Sequence, residues 1–102
     1  MHEVKKQIQS RKWSVPQNTT LLIKQRQDSA IVFHSKSGET HQLNDIGIAA
    51  LLIIQQHPVS LNDLADQINK LYEVETPSEL TVRLQRLVKD FEILGLIEPF
   101  KE

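Results

Sequence analysis

No cysteine occurs in the 102 residues, which excludes both a disulfide framework and thiolate chemistry and suits a reducing compartment. Glycine is scarce. The chain holds 3, scattered along its length, so no glycine-rich loop is available to cradle a phosphate. An excess of either charge is missing too: 12 Lys and Arg stand against 13 Asp and Glu, a formal net charge of −1 with no global pull toward nucleic acid or anionic lipid. The longest strongly apolar run, residues 46–54, is far too short to span a bilayer. The polar, basic N-terminus contains no apolar stretch that would serve as a secretory signal. A cytoplasmic protein with no membrane partner is the expectation.

What is present fits one globular domain. The hydrophobic fraction of 39% and charged fraction of 25% separate the chain from disordered sequences, and its length leaves no room for a second core. Residues 1–12 read as a flexible tail and residues 13–102 as the domain, entered through Trp13, Val15 and Pro16. Trp13 is expected to cap one end of the core.

Three short strands follow at 21–25, 30–34 and 39–43. The second is rich in β-branched and aromatic residues, and a turn carrying Gly38 bounds it. Connections of this length suit antiparallel hairpins. The third strand is polar, with Thr40 and Gln42 on one face and His41 and Leu43 on the other, which makes it the candidate edge.

From Asn44 the apolar period changes from two to about 3.6. Asn44 or Asp45 caps a helix to about residue 56 that is apolar nearly all round, the mark of burial on both sides. A helix started by Ser60 carries the stripe Leu61, Leu64, Ala65, Ile68 and Leu71. A third helix starts at Thr76 or Ser78, carries Leu80, Leu84, Leu87, Val88, Phe91 and Leu94, and stops at Gly95. The fold class expected is α+β and winged-helix-like: a three-stranded antiparallel sheet followed by three helices.

Catalytic chemistry finds no support. His2, His34, His41 and His57 fall at no metal-ligand spacing, and although His34 and His41 can face each other across a hairpin, two histidines hold zinc only with further ligands. A fold of this size is expected to leave little cavity for a buried catalytic site. The expectation is no enzyme, no cofactor and no metal.

Two binding surfaces remain. A polar edge strand either blunts self-association or accepts a strand from a partner. On the third helix, Val82, Arg86, Lys89 and Ile93 form a line opposite the apolar stripe, an apolar–basic–basic–apolar row suited to a peptide with acidic and apolar side chains.

The residues also resemble a known family. The run IVFHSKSGETHQLN at 31–44, PVSLNDLA at 58–65 and LGLI at 94–97 is similar to the PqqD family, in particular to the PqqD-like peptide chaperones found with HPr-kinase-related proteins. The resemblance spans residues 13–98 and is most specific at 37–44. It implies a recognition domain that takes the leader segment of a ribosomally made precursor as an added strand and presents it to a modifying enzyme. It implies strand contacts from Thr40, His41, Gln42 and Leu43 and groove contacts from Val82, Arg86 and Lys89.

The alternatives are a winged-helix DNA-binding regulator and a structural dimerisation module, and a homodimer stays open. Against DNA, the third helix mixes Arg83, Arg86 and Lys89 with Glu79, Asp90 and Glu92, and the second helix is acidic at Asp63 and Asp66.

Overall fold

The computed structural model describes residues 11–27, 29–72 and 76–101. Its elements are β1 (Lys12–Ser14), β2 (Leu21–Gln25), β3 (Ser29–His34), β4 (Thr40–Asn44), α1 (Asp45–Gln56), β5 (Val59–Ser60), α2 (Leu61–Leu71), α3 (Pro77–Ile93) and β6 (Glu98–Pro99). The expected α+β architecture is present: an antiparallel sheet in the order β2-β3-β4, then three helices among the described residues. A second small sheet, in the order β5-β1-β6, was not expected. Its strands are two or three residues long, too short to carry an alternating pattern.

That small sheet closes the domain around its entry. Trp13 pairs with Val59 on one side and Pro99 on the other, and its ring packs against the core as expected. The Phe100 N–H extends the pairing by donating to the Lys12 carbonyl at 2.9 Å. The pairing begins at Lys12, so the domain takes in that residue; residues 1–10 of the expected tail lie outside the described residues.

Helix α1 is the centre of the core. The Asn44 side chain accepts from the Gly47 N–H at 2.8 Å, the N-cap bond its position invites. Ile46, Ile48, Ala49, Ala50, Leu51 and Ile54 are buried, while Leu52 and Ile53 are partly covered. The helix packs on β3 and β4 on one side and α2 on another, which is why a polar face is missing. Below it lie Leu64 and Ile68 of α2 and Leu80, Leu84, Val88 and Phe91 of α3, all buried.

The two later helices begin on side-chain caps. Ser60 Oγ accepts from the Asp63 N–H at 3.2 Å, and Thr76 Oγ1 accepts from the Glu79 N–H at 3.3 Å. Helix α3 ends in a Schellman turn. The Gly95 N–H donates to the Glu92 carbonyl at 3.0 Å and the Leu96 N–H to the Phe91 carbonyl at 2.9 Å, with Gly95 at φ +77°. Two apolar assignments need correction. Leu71, the last residue of α2, and Leu94, the C-cap of α3, are exposed. Beyond the turn Leu96 and Ile97 enter the core.

Candidate functional site

Strand β4 pairs with β3 on one side, and among the described residues nothing pairs with its other side. The register decides which backbone groups face that open edge. At the hairpin mouth the His34 N–H donates to the Glu39 carbonyl at 2.9 Å. Antiparallel pairs alternate between bonded and non-bonded, so Val32↔His41 and Ala30↔Leu43 are the bonded pairs and Phe33↔Thr40 and Ile31↔Gln42 the non-bonded ones. The N–H and C=O groups of Thr40 and Gln42 therefore point away from β3, toward the open edge.

The side chains divide as the alternation predicted. Thr40 and Gln42 are exposed on the outer face, whereas His41 is partly buried and Leu43 buried on the face toward the core. His34 and His41 are not cross-strand partners: the register sets Val32 opposite His41. His34 is instead buried and bonded to the end of α3, with Nε2 3.0 Å from the Gly95 carbonyl oxygen. His41 Nε2 stands 3.5 Å from Glu39 Oε1, too long for a good hydrogen bond, and this buried nitrogen has no hydrogen-bond partner among the described residues.

The row on α3 is exposed along its length. Val82, Arg86, Lys89 and Ile93 lie opposite the buried stripe of Leu80, Leu84, Val88 and Phe91. Val82 is 64% and Ile93 73% exposed, so their apolar surface is not used inside the domain. Among the described residues no carboxylate comes within salt-bridge distance of Arg86 or Lys89, although Asp90 follows Arg86 by four positions. Among the described residues no hydrogen bond or ion pair joins this row to β4.

An open surface hollow of about 890 Å³ lies between the segment after β1, the end of α1 and β6. Lys36, His57, Glu98 and Lys101 bring charge or titratable groups to its wall, and neither β4 nor α3 lines it. His57 Nδ1 lies 3.1 Å from the neighbouring Pro58 carbonyl oxygen, a local contact rather than a nucleophile–base pair. Among the described residues no group of three or more His, Cys, Asp or Glu is placed to hold a metal ion. No helix among them is long and apolar enough to cross a membrane.

The family model for coenzyme PQQ synthesis protein D (PqqD) matches residues 29–97, from the first residue of β3 to the start of the C-terminal segment. The chain belongs to the PqqD family. The matched region contains the open edge of β4 and all three described helices of this PqqD-family domain, and leaves β1, β2 and β6 outside. Comparison with curated proteins gave no match. Among solved structures, the chain is similar to one described as TbiB1 in complex with the TbiA(beta) leader peptide. The TM-score is 0.69 at 13% identity, over 87% of this chain and 99% of that one. At that identity the likeness is one of fold.

Sequence reasoning found the edge strand but not its parity or the isolated His41 nitrogen. It also missed the apolar outer face of the sheet, where the exposed Leu22 and Phe33 are cross-strand partners. Their alternation in β2 and β3 was the available signal.

Proposed function

We propose that this PqqD-family chain is a non-catalytic recognition domain, a peptide chaperone that binds the leader segment of a ribosomally made precursor and presents it to a modifying enzyme. The observation that carries the reading is the outward-facing backbone of Thr40 and Gln42 on an unpaired edge. Backbone pairing supplies affinity with little demand on peptide sequence, and alternate side chains supply selection. Family membership supports it, as does the fold shared with TbiB1, itself solved with a leader peptide. The residues at 31–44 favour the branch found with HPr-kinase-related proteins.

In this mechanism the peptide adds as a fourth strand along Thr40, His41, Gln42 and Leu43. Val82, Arg86 and Lys89 take acidic and apolar side chains from peptide that runs past the paired segment. Amide shift mapping with the leader segment of a precursor encoded beside this chain tests both contacts. Shifts at Thr40, His41, Gln42 and Leu43 are expected, with weaker ones at Val82, Arg86 and Lys89. Shifts confined to α2 would exclude strand addition.

A further inference from the structure

His41 occupies an unfavourable position for a polar side chain. Its register partner Val32 and its neighbour Leu43 on the same face are both buried, and its own side chain is only 16% exposed. Buried polar groups are hydrogen-bonded as a rule, and one left unpaired needs a reason. An apolar residue in this place would continue the core and leave nothing unsatisfied. His34, in the same β3–β4 hairpin, shows the contrast: both of its ring nitrogens are within hydrogen-bond distance of backbone groups.

The strand parity supplies the reason. The His41 backbone bonds inward to β3, so toward an antiparallel strand added at the open edge His41 forms a non-hydrogen-bonded pair. Such pairs bring Cα atoms to about 4.5 Å, the closest side-chain approach a sheet offers. The peptide side chain opposite His41 would share its inward face and arrive beside Nε2 and the Glu39 carboxylate.

We infer that His41 is a selection residue, which reserves one position of the bound peptide for a hydroxyl or carboxamide side chain. That chemistry satisfies both neighbours, since Ser, Thr, Asn or Gln can bond to Nε2 and donate to Glu39. An acidic residue is repelled by Glu39. An apolar residue leaves Nε2 buried and unpaired. A cation would meet Glu39 but carries its charge onto the inward face of the sheet. The inference rests on strand addition at β4 and goes beyond it, because backbone pairing alone prefers no side chain there.

The test is selection from a displayed library of fully randomised ten-residue peptides on the full chain, with the variants Gln42→Pro, His41→Phe and His41→Gln. The native chain should enrich Ser, Thr, Asn or Gln at one position. Changing Thr to Val there in a selected synthetic peptide should weaken binding to the native chain about tenfold, the consequence of an unpaired buried nitrogen. The same change should make little difference to His41→Phe, which should also melt at a higher temperature than the native chain. His41→Gln should keep the preference. The Thr-to-Val comparison needs only the native chain, so it stands even where His41→Phe does not fold. Equal binding of the Thr and Val peptides, or enrichment of apolar, acidic or basic residues at that position, overturns the inference while strand addition survives. No residue preference at any position on the native chain likewise overturns the inference alone, whereas unimpaired binding to a folded Gln42→Pro overturns strand addition and the inference with it.

Discussion

His34 ties the β3–β4 hairpin to the end of α3: its Nε2 lies 3.0 Å from the carbonyl oxygen of Gly95, a residue 61 positions along the chain. Its Nδ1 accepts from the Lys36 N–H at 3.2 Å and the Ser37 N–H at 3.1 Å. With two donors facing Nδ1, the proton of the neutral ring is assigned to Nε2, which donates to Gly95. One buried imidazole thus orders the turn leading into the edge strand and the turn ending the last helix.

Replacing His34 by Phe keeps the ring volume and removes all three bonds. Each is worth about 0.5–1.5 kcal/mol, so His34→Phe should cost about 2–3 kcal/mol. Urea denaturation followed by circular dichroism measures it, and a loss below about 0.5 kcal/mol would show that the bridge contributes nothing beyond packing.

The core prediction turns on neighbouring isoleucines of α1. Ile54 is 1% exposed while Ile53 is only partly covered, so the deeper site is Ile54. An unpaired carboxylate at Ile54 costs several kcal/mol against a total of about 5–15 kcal/mol. Ile54→Asp should abolish the cooperative thermal melt, and Ile53→Asp should keep one at lower temperature. Loss of the melt in both variants would show that Ile53 belongs to the core as fully as Ile54.

Gln42→Pro removes an outward-facing N–H and no bond of the β3–β4 ladder. A native-like circular dichroism spectrum is expected together with at least a tenfold loss of leader-peptide affinity by titration calorimetry. Retained affinity in the folded variant would place the peptide elsewhere.

Arg86 is exposed and has no carboxylate within salt-bridge distance among the described residues, so its charge is available to a partner. Arg86→Glu should slow association with an acidic leader peptide about three- to tenfold at low salt, with stability changed by less than about 0.5 kcal/mol. The difference should shrink as salt screens the pair. Stopped-flow mixing at two ionic strengths provides the check, and an unchanged association rate would remove the α3 row from the site.

Signals confined to a few neighbouring residues were legible in the sequence. The cap at Ser60 and the stop at Gly95 each act within one helical turn and were readable directly, while the other two caps were narrowed to Asn44 or Asp45 and to Thr76 or Ser78, of which the structure uses Asn44 and Thr76. The change of period at Asn44 separated sheet from helix because period follows directly from backbone geometry. The same alternation set Leu43 and Gln42 on opposite faces, and the structure turns Leu43 inward. The alternation did not say which edge each amide faces, because that depends on how the hairpin closes at His34 and Glu39. Nor did it reveal β1 with β5 and β6, whose pairing joins Trp13 to Val59 and Pro99 through strands too short for a pattern. The exposure of Leu71 and Leu94 was decided where their helices stop, since a residue at a helix end leaves the stripe that the periodicity assigns it. Local stereochemistry determined the elements and their faces; tertiary structure alone decided register, edges and the isolated nitrogen of His41, because each depends on groups that only folding brings together.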